Sequence, residues 1–424
     1  MTRYHPVTCI TMFSSIRTVT SLLVSTVFLL MGVGLLHTLV ALHGESLGFS
    51  VAMLGGLTSL YYAGFLLGTY IVPRLTHAIG HIRAFAFCTA SVAVLALLQA
   101  IGSAYWFWMI LRVLQGLALV GLYAIIESWL NAAAQPIHRG FVFSVYMMLN
   151  LAAGALAQQF LHLQGEAFVL FCIVAILFCV ASLPVLATRQ PEPEMQSVPK
   201  VQVMRFFRLV PSALVSAFVS GLVLGALWGL LPLYAHAQGY DIAEIGVYMS
   251  VAIAGGVALQ LPLGRLADRI DRRMALALIS AAAALLALVN LIVPTDNHTF
   301  AMVVVFAFGG MSFAVYPIAV AHLVDYLRRD ELLSASSTVL LVNGLGAALG
   351  PLVAGALMSM WQPWILFAWF AALNGLLACY TLYRFASRKR EVTAADNFVP
   401  MVHTTPSALD RHSGMSEGPA DQKA

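Results

Sequence analysis

The sequence predicts an all-α membrane protein, with twelve transmembrane helices arranged as two parallel six-helix repeats. Three observations lead there. Hydrophobic residues make up 61% of the 424 residues and charged residues only 9%, whereas soluble domains are about 45–50% apolar. The basic residues gather on one side of the apolar segments. Glycine and polar positions also recur between the two halves at a nearly constant displacement.

The first observation sets the class. Stretches 51–73, 84–111, 140–165, 209–240, 274–295 and 332–383 contain no Asp, Glu, Lys or Arg. About 20 apolar residues cross a bilayer as a helix. Barrel strands would alternate over roughly 10 residues, and these stretches do not. Cys9, Cys88, Cys172, Cys179 and Cys379 show no paired spacing and read as small core residues. The opening MTRYHPVTCITMFSSIR leads into apolar sequence without a small-residue cleavage pattern, which reads as a retained first span.

Turn signals divide the apolar sequence into elements. Span 1 is 18–43 and closes at HGESLGF; span 2, 51–73, closes at Pro73-Arg74. Span 3, 84–103, follows Arg83 and closes at GSA; span 4, 106–134, contains Arg112 and Glu127. Span 5, 141–163, opens after Arg139-Gly140 and closes at QGE; span 6, 166–187, gives way to RQPEPEMQSVPKVQVMRFFR, whose Pro and charge content marks a linker. Span 7, 210–237, closes at HAQGYDI, and span 8, 243–264, at GRLADRIDRR, where six of ten side chains are charged. Span 9, 274–294, closes at PTDNH; span 10, 299–326, at Arg328-Arg329; span 11, 334–360, at WQP; and span 12 is 363–385. Organisation follows: residues 1–188 a first half, 189–209 a cytoplasmic linker, 210–386 a second half, and 387–424 a polar, disordered cytoplasmic tail.

The second observation sets orientation. Loops after odd-numbered spans carry no Lys or Arg. Of the 22 basic residues, 21 fall on the other side, with Arg384 in the last turn of span 12, and only Arg112 lies deep inside a span. The positive-inside rule then places both termini in the cytoplasm.

The third observation is duplication. Gly34, Gly48, Gly55, Ser59 and Gly64 match Gly225, Gly239, Gly246, Ser250 and Gly255 at a displacement of 191. Gly116, Tyr123, Ser144 and Asn150 match Gly309, Tyr316, Ser337 and Asn343 at 193. Parallel repeats of this kind build secondary transporters with a midplane site between halves.

Particular residues carry a family resemblance. Gly264, Asp268, Arg269, Arg272 and Arg273 fit a G-x-x-x-D-R-x-G-R-R loop, with Asp271 in place of its second Gly. The first-half copy, PRLTHAIGHIR, has Pro73 for the first Gly and His77 for the Asp. Arg112-Val-Leu-Gln-Gly116, Arg139-Gly140, and Gly346, Gly350, Pro351 and Gly355 add further matches. Over residues 15–390 the chain resembles the major facilitator superfamily (MFS), most of all its YcaD-like bacterial inner-membrane branch through IIESWLN, SVYMMLN and FAVYPIAVAH. The resemblance implies the MFS fold, with spans 1 and 4 lining a central cavity and spans 5 and 11 between halves. NLAAGALAQ in span 5 lacks the G-x-x-x-G-P element of drug antiporters, which weakens a drug-efflux assignment. The resemblance also implies that Asp268 sits near the start of span 5 beside Arg139 when the protein is outward-open, locking the halves on the inner side.

Charge at bilayer depth costs about 2.5–3.5 kcal/mol and needs a reason. Arg112 and Glu127 are about 60° apart around span 4 and roughly 22 Å apart along it, with Gly116, Tyr123 and Asn131 extending the same face. Arg112 either serves the cavity or snorkels to the outer headgroups. Glu127 reads either as a proton carrier or as a structural hydrogen-bonding group. His37, whose repeat partner is Trp228, is either a titrating group or a satisfied core residue. Tyr61, Trp228 and Tyr316 line a substrate site or simply pack. Asn150 and Asn343 bond between helices, worth about 0.6 kcal/mol on average. His322 and Asp325, one turn apart, pair with each other or with Arg328 and Arg329 as a cytoplasmic latch.

No phosphate-binding loop, nucleophile elbow or paired metal ligands appear, so an enzyme, a cofactor and a metal site are not expected. The expectation is a secondary active transporter for an unknown small molecule, working by alternating access and coupled to protons, as symporter or antiporter. Its partners would be the lipid bilayer, the substrate and protons, with no nucleic acid and a monomeric state. The alternative is a non-transporting protein of the same fold acting as sensor or assembly partner.

Overall fold

The computed structural model describes residues 7–133, 139–163, 166–187, 201–292, 297–328 and 331–387. Among them every regular element is helical. The helices are α1 (Val7–Ser46), α2 (Val51–Ile79), α3 (His81–Ile101), α4 (Tyr105–Ala133), α5 (Arg139–Ala157), α6 (Ala167–Leu186), α7 (Val203–Leu209), α8 (Pro211–Ala237), α9 (Ile242–Arg269), α10 (Arg272–Ile292), α11 (His298–Val324), α12 (Leu332–Met360) and α13 (Ile365–Ser387). A 3₁₀ segment, Gln158–His162, continues α5. Eleven helices are long and apolar enough to cross a membrane; α5 stands where the fifth span is expected. Large side chains such as Leu67, Phe87, Ile176, Leu285 and Leu376 point outward, as lipid contact requires.

The helices overrun the boundaries set by hydropathy. α2 continues through Pro73 and Arg74 to Ile79, so most of PRLTHAIGHIR is helix and Gly80, at φ 85°, makes the whole turn into α3. GRLADRIDRR is likewise mostly helix, split between the end of α9 and the start of α10. Leaving the apolar layer does not end a helix whose Leu, Ala and Arg residues favour helix in water too. The linker region holds α7, which the composition did not announce. Phe206 of α7 is fully buried against α8 and α12 residues, the Gln202 amide donates to Thr338 Oγ1 at 3.0 Å, and Arg205 pairs with Glu331.

Duplication is visible in the turns and crossings. Gly48 and Gly239 take φ of 84° and 90°, a conformation that suits glycine. Two residues on, Ser50 caps α2 through the Met53 amide and Asp241 caps α9 through a capping box with Glu244. Within the halves, α2 crosses α4 at Gly64 and Gly116, where an added Cβ would strike the carbonyls of Val113 and Tyr61. α9 crosses α11 identically, with Gly255 against Phe306 and Gly309 against Ala252. Between the halves, Gly55 of α2 lies on the Pro351 carbonyl of α12, and its counterpart Gly246 of α9 lies on the Gln158 carbonyl.

The halves are thus joined toward one end of the bundle, the end whose loops lack arginine. There the Ala52 amide donates to Ser359 Oγ at 2.8 Å. Ser250 Oγ donates to the Ala155 carbonyl at 2.8 Å and accepts from Gln159 at 2.7 Å. His236 meets Glu45 at 2.9 Å.

Gly116→Val should therefore destabilise the protein by about 1–3 kcal/mol through overpacking, read as a lower Tm in detergent. Gly375→Ala, where the nearest atom to a new Cβ is 4.0 Å away, should leave the Tm unchanged or raise it.

Candidate functional site

Arg112 leaves α4 toward the first half's interior and is 1% exposed, so it does not snorkel. Residues of α1, α2 and its own α4 meet it. Its Nη1 donates to Gln115 Oε1 at 3.1 Å, its Nε to the Leu57 carbonyl at 3.4 Å, and its Nη2 to His37 Nδ1 at 3.4 Å. Its guanidinium carbon lies 4.7 Å from the centre of the Tyr61 ring, a cation–π contact. Gln115 in turn donates to Gln99 of α3 at 2.9 Å, which turns the Gln115 oxygen toward Arg112. Because guanidinium only donates, His37 Nδ1 must accept and the ring proton sits on Nε2.

His37 is 8% exposed and faces the second half. Its ring is edge-on to Tyr61 at 4.7 Å and 6.1 Å from Trp228 of α8, which lies 6.1 Å from Phe313 of α11. Residues from α1, α2, α4, α8 and α11 therefore converge where the halves meet. Of the residues singled out in the sequence, Arg112, His37, Tyr61 and Trp228 are brought together. Gln99, Gln115 and Phe313 join them unforeseen. Gln115 could have been found from its i,i+3 spacing to Arg112, and Gln99 as an amide in an apolar span.

Glu127 makes a second cluster, nearer the arginine-rich end. It is 0% exposed and accepts from the Tyr146 hydroxyl of α5 at 3.3 Å. It lies within electrostatic range of Tyr123, one turn earlier, and of Tyr316 across on α11. Tyr146 carried no signal in the sequence, since a tyrosine in an apolar span usually packs. Asn343 donates to the Ala217 carbonyl of α8 at 2.8 Å, so it bonds within the second half. Its counterpart Asn150 has an Nδ2 with no hydrogen-bond partner among the described residues.

A model described as the Major Facilitator Superfamily matches residues 22–213 and again 213–409. The chain belongs to the Major Facilitator Superfamily. It is 27% identical over 361 residues to the uncharacterised MFS-type transporter YcaD of Escherichia fergusonii, covering 84% of this chain and 93% of the relative. It is 28% identical over 366 residues to YcaD of Salmonella paratyphi A, covering 86% and 94%. The nucleoside transporter NupG shares the fold with a TM-score of 0.73 at 16% identity, covering 88% of this chain and 100% of that one. A bacterial homologue of the human lysosomal transporter Spinster, inward-facing and occupied, gives a TM-score of 0.67 at 15% identity, covering 87% and 94%.

The MFS loop signature lies at the arginine-rich end. Gly264 is buried in α9, while Arg269 is exposed. Asp268 meets Arg272 Nη2 at 3.4 Å, within its own half. Arg139 lies at the start of α5, and its side chain is outside the described residues. Arg273 grips Asp271 through Nε at 3.1 Å and Nη2 at 2.9 Å and donates to the Arg384 carbonyl at 3.1 Å, tying the turn to the end of α13. Asp325 meets Arg272 Nε at 2.8 Å, and His322 Nε2 lies 2.8 Å from Ser212 Oγ of α8. Spacing along span 10 suggested local partners; α10 and α8, packed against α11, supply these further ones.

Arg272 and Asp325 are both almost fully buried. Removing one partner of such a pair costs about 3–5 kcal/mol. Asp325→Asn should fall toward the lower end of that range, since Asp268 remains beside Arg272. Asp268→Asn, with its longer and more exposed contact, should cost less. Thermal unfolding of both variants in detergent checks the order.

Proposed function

We propose that this chain is a secondary active transporter that moves a small molecule across the cytoplasmic membrane by alternating access, coupled to protons. The observation that carries the reading is a pair of matched halves that meet, among the described residues, toward one end of the bundle. Glycine crossings and hydrogen bonds bind them toward the arginine-poor end. At the other end Asp268, Asp271 and Asp325 pair with arginines of their own half. With the positive-inside orientation, we read this as an arrangement open to the cytoplasm. Rocking the halves about the central cluster would close that side and open the other. In the opposite state Asp268 would leave Arg272 for the start of α5, where helix N-terminal amides favour an anion.

Glu127 is the coupling group in this reading. It is a carboxylate buried at the inner half of α4, with Tyr316 of the second half in electrostatic range, so its charge is felt on both sides of the moving boundary. His37 suits the role less, because a protonated ring would set two positive charges 3.4 Å apart.

Purified protein in liposomes loaded with a pH-sensitive dye tests this. The wild type should move protons when a transported solute is added. Glu127→Gln should abolish proton movement while exchange of labelled for unlabelled solute persists. Unchanged proton movement in that variant would remove Glu127 as the coupling residue. Binding without flux for every solute would instead favour a sensor or assembly protein.

A further inference from the structure

We propose that Arg112 is the counter-ion for a negatively charged substrate: the central site takes a small organic anion, its carboxylate held by Arg112 and His37 and its apolar body by Tyr61, Trp228 and Phe313. The word substrate rests on the transporter reading above; the charge assignment rests on the geometry alone.

Arg112 is almost fully buried, and every acceptor it reaches is neutral: an amide oxygen, a backbone carbonyl and an imidazole nitrogen. Among the described residues no carboxylate pairs with it. Glu127, on the same helix, is roughly 22 Å away along the axis, too far to offset its charge. A buried cation without a counter-ion is costly in protein and membrane alike, and such a residue persists where something else supplies the charge. Its donors are not exhausted either. Each Nη carries a second N–H, and His37 offers Nε2–H. A carboxylate accepts such a set in fork geometry.

Duplication weighs against the helix crossings themselves needing this cation. At the repeat-equivalent position, displaced by 193, stands Val305, as buried as Arg112. The equivalent of Gln99 is Asn290, displaced by 191, and there the amide accepts from Tyr234 at 2.8 Å and approaches the Tyr248 hydroxyl at 3.5 Å. Tyr61 is matched by Ala252 and His37 by Trp228. The second half thus builds the same helix crossings around a neutral polar cluster. The cation and its aromatic shelf belong to the first half alone, and Trp228 and Phe313 close the site from the second. A neutral ligand would leave Arg112 uncompensated, and a cation would add to its charge.

The test uses full-length protein in detergent and matched probes of one shape and three charges: benzoate, benzamide and benzylamine, then indole-3-acetate, indole-3-acetamide and tryptamine. Thermal shift and tryptophan fluorescence report binding. Carboxylates should bind roughly tenfold to a hundredfold more tightly than their amides, and amines weakest. Arg112→Gln should erase the preference, and Arg112→Lys should keep part of it. The comparison within the wild-type protein stands even where a variant fails to fold. Equal binding of amide and carboxylate, tighter binding of the amine, no binding of either carboxylate, or a preference surviving Arg112→Gln would each overturn the proposal. Counterflow in liposomes separates the two readings. Carboxylate binding without exchange defeats transport and leaves the anion site. Exchange of amides or amines without a carboxylate preference defeats the anion site and leaves transport.

Discussion

In a bilayer the lipid tails are as apolar as a leucine, so helices gain little by burying apolar faces against one another. What remains is close packing, and close packing of backbones requires positions without a Cβ. Gly64, Gly116, Gly255 and Gly309 provide these within the halves, and Gly55 and Gly246 between them. Each seats a helix on a carbonyl of its neighbour. The order of the helices, the approach of α4 that brings Arg112 to α1, and the joint between the halves all depend on these contacts. A side chain at Gly64 or Gly116 would move a helix by the width of a methyl group and pull Arg112 off the groups that hold it.

On this symmetrical frame the chemistry is asymmetrical. Equivalent positions hold Arg112 and Val305, His37 and Trp228, Tyr61 and Ala252. The signature turn is equally one-sided: the second half has Asp268, Asp271, Arg272 and Arg273 in paired contacts, while the first has an exposed His77 at the place of Asp268. Charge is the expensive element in this environment, so its placement is a better guide to function than the packing that surrounds it. Among the described residues the buried arginines and carboxylates divide between the interior of α4, at Arg112 and Glu127, and the turn at the arginine-rich end, at Arg272, Arg273 and Asp325.

Much of the fold was legible because the bilayer enforces a simple code. Apolar length gave the spans, the arginines gave one common end, and the displacement of 191 to 193 residues gave the duplication, which the matched glycine crossings bear out. Boundaries were less legible. Hydropathy marks the edge of the apolar layer, whereas α2 and α9 continue beyond it until a turn such as that at Gly80 ends them. α7 was hidden because seven residues with one buried phenylalanine carry no periodic signal.

Residue types and their depth came from the sequence: a cation in the outer part of span 4, a carboxylate in its inner part, a histidine in span 1. Partners did not. Arg112 meets His37 across 75 positions of chain and Gln99 through Gln115, Glu127 meets Tyr146, and Asp325 meets Arg272 of α10. The reason is the rotation of each helix about its axis. Periodicity defines a face but not which neighbour it meets, and in an apolar helix the face itself is weakly marked. Only the backbone contacts at the glycines set that rotation, and with it which buried polar groups find one another.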